Sequence, residues 1–482
     1  MAKIFQAPKS SARNQKLLGQ VIKLTIDRLD VNGIGVGRYQ KKPVFVANTL
    51  VGEHVQAKVI ETNSKFIKAK AVKVAHLNDQ RQKPVCEHYY VCGGCDLQHL
   101  SHQGQLTFKQ QKVTELFARQ GLTALPWQPA VTGSDWHYRR KARIGVQYNK
   151  LGEATLGFRQ KESNTLVPIK YCHVLSKPLA SITTALANVL TELAEPKSIG
   201  HIEVIQTKQI RLVVRQLRKL SAHAKTVWQQ AAKQHHWQVS FDYGDEGTDL
   251  SALEATENQP LSYELDCVID RAIDSSIHSS NKSSEKGSDK DSNKSSDNKS
   301  ITINFAPNDF IQVNGEVNQL MVKQALSWLE LDSADVVLDL FCGLGNFSLP
   351  MAKHVAKVVG VEGVQAMVDS ASANAARNQI TNSAFYQLDL NSDWKNQAWQ
   401  AHQFNKVLLD PARAGALEAC EQLATIEAKC ILYVSCDPQT LARDAKVLSE
   451  QGYQVKKIGL IDMFNHTKHV ETMVLFERIA TN

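Results

Sequence analysis

Cys436 and Glu471 are the side chains of this sequence whose placement says most about chemistry. Cys436 closes an apolar run, ILYVSCDP over Ile431–Pro438, and Glu471 stands in HTKHVETMVLF just before another such run. A thiol at the end of a buried strand can serve as a nucleophile. A nearby carboxylate can take up a proton so that the thiol later departs. Asp410 ends a third apolar run, in KVLLDPARAG over Lys406–Gly415. Strand ends are where ligands bind in open α/β sheets. Cys430, at the start of the same run as Cys436, reads as an inert strand cysteine.

A cofactor site precedes these residues. The stretch VVLDLFCGLGNFSLPMA is an apolar strand, a turn with Gly343 and Gly345, and a helix. Ser348 stands where G-x-G-x-x-G would carry its third glycine, and a dinucleotide pyrophosphate needs that close helix approach. S-adenosylmethionine has no phosphate, and its amino-acid end can meet backbone groups and Asp339. Glu362, nineteen residues after Gly343, ends the next apolar run and suits the two ribose hydroxyls. Asp389 ends the third run, where an adenine edge would lie. A methyltransferase acting on an exocyclic nitrogen carries a D/N-P-P-Y/F loop and needs no thiol. Uracil C5, by contrast, is a poor nucleophile. A thiolate added at C6 turns C5 into an enolate carbon that can attack a methyl donor. The thiol beside this glycine turn therefore points to uracil C5.

The elements that must position these groups follow from the patterning. After residue 318, helical stretches alternate with short apolar runs, which predicts a doubly wound α/β domain with a largely parallel sheet. Residues 15–80 read as short strands around a glycine-rich turn, VNGIGVGRYQKKP, and predict a small OB-type barrel. Lys65, Lys68, Lys70 and Lys73 are placed to meet a phosphate backbone. Residues 102–121 predict an amphipathic helix ended by Gly121, and residues 130–273 mix strands and helices. The segment 274–300 is low in complexity and too polar to bury a core, so it is expected to be a disordered insertion.

Charge is unevenly spread. The formal net charge is +8, and residues 1–81 hold 15 Lys/Arg against 5 Asp/Glu, which leaves the rest near −2. A basic module on a neutral body points to a polyanion, nucleic acid above all. No apolar run is long enough to span a membrane, and the first residues lack the apolar core of a signal peptide. A cytoplasmic protein is expected, with no obligate protein partner evident.

Nine cysteines in such a chain read as metal ligands or catalytic thiols, not disulfides. Cys86, Cys92 and Cys95 share the loop CEHYYVCGGC, and Cys172 follows in IKYCHV. Four thiolates hold either zinc or an iron–sulfur cluster, and the spacing leaves both open. It is not the C-x3-C-x2-C of radical-SAM enzymes, and four cysteine ligands leave no open iron, so a non-catalytic role is expected. Nearby, WHYRRKARIGV (136–146) interleaves aromatic and cationic residues. That suits stacking on unpaired bases, or a strand with a solvated basic face.

The motifs DLFCGLGNF, LLDPARAG, YVSCDP and HVET, in that order, resemble the RNA uracil-C5 methyltransferase family, and FAPNDFIQVN upstream matches too. The resemblance implies a Rossmann-like SAM-dependent domain in which Gln312, Phe341, Asn346, Glu362, Asp389 and Asp410 line the SAM or base pocket. It makes Cys436 the nucleophile and Glu471 the proton acceptor. Departures are small: DPAR for the frequent DPPR, SCDP for SCNP, and Asp389 where some relatives carry Asn. The C-x5-C-G-G-C…C pattern implies a [4Fe-4S] cluster on Cys86, Cys92, Cys95 and Cys172, and the N-terminal module resembles a TRAM domain. The expected layout is a TRAM barrel at 12–80, a mixed α/β central domain with the iron–sulfur cysteines at 81–273, the insertion at 274–300 and the methyltransferase domain at 301–482. Within the family this architecture points to 23S ribosomal RNA as substrate. Another ribosomal uridine, transfer RNA, and a non-catalytic RNA-binding iron–sulfur protein are the alternatives.

Overall fold

The computed structural model describes residues 17–193, 195, 197–244, 248–249, 260–268 and 300–479. Five strands form a closed barrel: β1 (Val21–Leu29), β2 (Gly35–Tyr39), β3 (Lys42–Val46), β4 (His54–Thr62) and β5 (Ile67–Ala75), in the order β1-β2-β3-β5-β4. Strict alternation along β1 turns Ile22, Leu24 and Ile26 inward, where they pack with Val44, Val55 and Ile67. The glycine-rich stretch is a turn only in part: Val31–Gly33 and Gln40–Lys41 turn, but Gly35–Tyr39 between them pairs on both sides as β2. The glycines serve close strand packing: a Cβ on Gly37 would lie 2.1 Å from the Thr25 carbonyl oxygen.

The predicted helix forms as α1 (His102–Arg119), and Gly121 lies beyond it at φ 82°. A seven-stranded sheet follows, built from β6 (Lys141–Tyr148), β7 (Ala154–Arg159), β8 (Leu166–Pro168), β9 (Ile199–Gln206), β10 (Ile210–Gln216), β11 (Trp237–Asp242) and β12 (Thr248–Asp249), in the order β12-β11-β10-β9-β6-β7-β8. Its apolar face packs with Leu186 and Val189 of α2 (Ile182–Leu193) and Trp228 of α3 (Ala222–His235).

The ribbon of β13 (Leu261–Asp266) and β14 (Ser300–Phe305) leads into the last sheet. The low-complexity stretch lies outside the described residues, apart from Ser300, which opens β14. Helix α4 (Gly315–Leu329) precedes β15 (Val336–Leu340), β16 (Lys357–Glu362), β17 (Ser383–Gln387), β18 (Lys406–Leu409), β19 (Cys430–Ser435), β20 (Tyr453–Ile461) and β21 (Glu471–Arg478). The order is β17-β16-β15-β18-β19-β21-β20, parallel through β19 and antiparallel at β21. The doubly wound domain expected from the alternation is therefore present. The order reverses between β15 and β18, which opens a ligand crevice at their carboxyl ends.

Contacts divide the chain into two compact units, one of Met1–Lys112, Arg159–Ser163 and Asn465–Lys468, the other of the remainder. Among the described residues, no helix is long and apolar enough to cross a membrane.

Candidate active site

The carboxyl end of the last sheet gathers the reactive groups. Ser435 of β19 and Thr472 of β21 are register partners, so Cys436 and Glu471 are the next positions outward on facing strands. Asp410 is the first residue past β18, and its N–H donates to the Leu340 carbonyl at 3.3 Å. Glu471 is 4% exposed, and burial, then the Asp410 charge, pushes its carboxyl up to about 8. Burial pushes the Asp410 carboxyl up to about 7. Burial, with the Glu471 and Asp410 charges added, pushes the Cys436 thiol up to about 12. The Arg413 guanidinium pulls both Cys436 and Glu471 the other way. Burial thus brings both carboxyls to values at which they can exchange protons near neutral pH, and disfavours the Cys436 thiolate.

The glycine turn lies at the end of β15. Phe341, Gly343 and Gly345 all have positive φ, at 64°, 53° and 89°. Gly343 N–H donates to Glu362 Oε2 at 3.1 Å, and Val364 N–H donates to Oε1 at 3.1 Å. The carboxylate is held at the end of β16 with a lone pair left on each oxygen for further donors. Ser348, the residue that breaks the dinucleotide pattern, donates its hydroxyl to Asp339 Oδ2, which turns Asp339 into the protein. Asp339 is 1% exposed, and burial pushes it up to about 7 despite that bond.

The other expected pocket residues are placed unequally. Asn346 exchanges amide hydrogen bonds with Asn318 at 3.0 Å each way and accepts the Tyr263 hydroxyl at 2.9 Å. Gln312 is buried, and its carbonyl accepts Arg140 Nε at 3.0 Å. Asp389 does not end β17, which stops at Gln387. It lies exposed in the following turn, where Oδ1 accepts the Asn391 N–H at 3.0 Å.

The cysteine loop belongs to the first unit. Cys86, Cys92 and Cys95 of that loop, and Cys172 of the second unit, are all half-buried and in no disulfide. Gly94 N–H donates to Cys92 Sγ at 3.4 Å, and the Cys172 thiol accepts the backbone N–H groups of Val174 and Leu175. Among the described residues, no group of three or more His, Cys, Asp or Glu side chains is gathered as a metal site. The same loop grips His466, whose carbonyl accepts the Asp96 and Leu97 N–H groups at 2.8 and 2.9 Å.

The basic stretch 136–146 fits neither expectation throughout. Lys141 turns inward, donating Nζ to the carbonyls of Pro307 and Asp309 at 2.7 and 2.8 Å. Arg140 lies over the Tyr263 ring, 4.7 Å from its centroid. Burial lowers the pKa of both cations. On the barrel, Lys58 and Lys70 are exposed cross-strand partners, with Lys73 exposed nearby, whereas Lys68 is paired with Glu61 at 3.0 Å.

Residues 289–479 match the tRNA (uracil-5-)-methyltransferase family model, and residues 15–72 match the TRAM domain. The 23S rRNA (uracil(1939)-C(5))-methyltransferase RlmD of Colwellia psychrerythraea is 46% identical, with 99% of each chain covered. The protein of the same name from Vibrio campbellii is 40% identical over 99% of this chain and all of its own. The chain belongs to the RlmD family of RNA uracil-C5 methyltransferases. The fold is also that of Pyrococcus abyssi tRNA (uracil-54, C5)-methyltransferase in complex with S-adenosyl-L-homocysteine, at TM-score 0.64 and 20% identity over 94% of this chain and 100% of that one.

Sequence reasoning missed two side chains. Arg413 stands in the DPAR motif itself and faces both Cys436 and Glu471 electrically, so its signal was present. Tyr263 carried none, because its contact with Arg140 of the flagged basic stretch joins distant segments and no spacing announces it.

Proposed function

We propose that this chain methylates C5 of uridine 1939 in 23S ribosomal RNA, the target printed in its relatives' names. The observation that carries this reading is the convergence of Cys436, Glu471 and Asp410 at the sheet end that also bears the glycine turn. S-adenosylmethionine supplies an electrophilic methyl group when bound. Its ribose suits Glu362, with Gln312, Phe341, Asn346 and Asp389 around the remainder. Cys436 Sγ adds to C6 of the uracil, its proton passing to the Asp410 carboxylate. C5, now enolate-like, takes the methyl group. Glu471 then removes the C5 proton, and the electrons of that C–H bond restore C5=C6 and expel the Cys436 thiolate.

Cys86, Cys92, Cys95 and Cys172 are assigned to a [4Fe-4S] cluster that organises the central region. Backbone N–H groups that point at sulfur suit thiolate ligands, and Cys92 and Cys172 both accept such bonds, although burial pushes the Cys172 thiol up overall. The barrel at 12–80, the central region at 81–273 and the catalytic domain at 301–482 divide RNA docking from chemistry. The exposed Lys58, Lys70 and Lys73 meet the phosphate backbone. Work on ribosomal RNA implies a cytoplasmic setting.

The test is methyl transfer from labelled S-adenosylmethionine to unmodified 23S rRNA and to tRNA, with anaerobically purified protein and the modified nucleotide mapped. Formation of 5-methyluridine in 23S rRNA, absent with Cys436→Ala, is the expected result. Transfer to tRNA alone would overturn the ribosomal target and keep the mechanism. Transfer to neither would favour a binding protein.

A further inference from the structure

The helix that begins just after Cys436 reaches back to the loop that follows β18. That helix, Pro438–Glu450, is capped by Asp437, whose Oδ1 accepts the Gln439 and Thr440 N–H groups at 2.9 and 3.3 Å. The loop runs from Asp410 to Ala416 and leads into a short helix, Leu417–Gln422. It carries Arg413, whose charge favours the ionised forms of Cys436 and Glu471.

Three side chains of the longer helix hold the backbone of this loop. Thr440 Oγ1 donates to the Arg413 carbonyl at 3.3 Å, and Arg443 Nη2 donates to the Ala414 carbonyl at 3.1 Å. Asp444 Oδ2 accepts the Ala416 N–H at 2.7 Å. Positions 440, 443 and 444 share one helix face, so a single turn reaches the whole second half of the loop.

Asp444 is itself fixed. It is 0% exposed, its Oδ1 accepts Arg443 Nε at 2.7 Å, and its Oδ2 also accepts the Tyr433 hydroxyl at 2.8 Å. Tyr433 lies on β19, the strand that leads to Cys436. Gly415 admits the contact: its φ is 79°, and a Cβ there would lie 2.6 Å from Asp444 Oδ2 and 2.7 Å from Arg443 Nη2. Apolar side chains can replace a buried ion pair at little cost in stability, so stability alone does not account for this one. Its bonds go to loop backbone, and loop backbone sets where Asp410 and Arg413 stand.

We infer that Arg443 and Asp444 are positioning residues for methyl transfer, holding the Asp410–Ala416 loop so that Arg413 keeps its place facing Cys436. They act through Arg413 and not on the substrate. The inference rests on the catalytic reading of Cys436 given above.

Alkylation of the full chain by iodoacetamide at about pH 8, followed residue by residue by mass spectrometry, reports the Cys436 thiolate without any RNA. Arg443→Gln changes a half-buried side chain, and Asp444→Asn keeps the shape of the carboxylate without its charge. Each should slow Cys436 alkylation about threefold. Each should also lower kcat about tenfold or more, with KM for S-adenosylmethionine changed less than about twofold. Arg413→Ala should slow alkylation as much, and Arg413→Ala combined with Arg443→Gln should slow it no further. Cys420, 0% exposed on the short helix, is the check against general loosening and should stay unreactive in Arg443→Gln. If Asp444→Asn is insoluble, Arg443→Gln decides alone. Unchanged Cys436 alkylation in Arg443→Gln, a newly reactive Cys420, or a loss that adds to that of Arg413→Ala would make the pair a packing element and overturn the inference alone. If the unaltered chain transfers no methyl group to RNA, the catalytic reading falls and the inference with it.

Discussion

Cys436 and Glu471 stand one position beyond the Ser435–Thr472 register pair, on antiparallel neighbours β19 and β21. The relation depends on β21 entering the sheet against the direction of the others, which brings the start of one strand to the end of its neighbour. Thiol and carboxylate are both desolvated, and the Glu471 charge opposes ionisation of the Cys436 thiol.

Cys436→Ala should lower methyl transfer by at least about a thousandfold, the scale on which an enzyme loses its nucleophile. Binding of S-adenosyl-L-homocysteine, measured by calorimetry, should change by less than about twofold, since the glycine turn and Glu362 are untouched. Loss of that binding would contradict the role given to Cys436.

Glu471→Gln should permit thiol addition and methyl transfer but slow proton removal by about 10²–10⁴-fold. A covalent RNA–protein adduct should then accumulate and survive a denaturing gel. Without such a band, another group acts as the base.

The same substitution tests the burial of Glu471 through stability. Its folded pKa, about 8, lies above the ordinary value of 4.5. Between those values the folded chain binds more protons than the unfolded one, so stability falls as pH rises through that window and stays low above it. Glutamine carries no such penalty. The melting temperature of Glu471→Gln relative to the unaltered chain should rise by a few degrees from about pH 5 to about pH 9. A flat difference would mean that Glu471 is solvated.

Cys86→Ser should lower iron and sulfide from about four of each per chain and cut the soluble yield. Zinc in place of iron in anaerobically purified protein would keep the four ligands and overturn the cluster. A soluble Cys86→Ser protein with full iron content would overturn the ligand set.

Much of the catalytic end was legible because a parallel sheet delivers its strand ends to one edge. Apolar runs ending in Glu362, Asp410 and Cys436 therefore announce a shared crevice before any coordinate is known. Asp389 shows the limit of that logic: it lies two residues past its strand, exposed in a turn and not fixed by the sheet. Gly35 and Gly37 misled because glycine marks close backbone approach as readily as a turn. Lys141 misled because a cation written among aromatics can still spend its donors on carbonyls over 160 residues away.

Ser348→Ala removes the hydroxyl that Asp339 Oδ2 accepts and leaves a buried carboxylate whose Oδ1 already lacks a partner. The bond favours the ionised form, so its loss should raise Asp339 further above its present value of about 7. The cost should be about 1–3 kcal/mol where Asp339 is ionised and smaller where it is protonated. Thermal melts of Ser348→Ala should therefore fall further below the unaltered chain at about pH 8.5 than at about pH 6. Because Ser348 also begins the helix that follows the glycine turn, S-adenosyl-L-homocysteine affinity should weaken with it. A larger melting deficit at the lower pH would show that Ser348 supports packing and not the Asp339 charge.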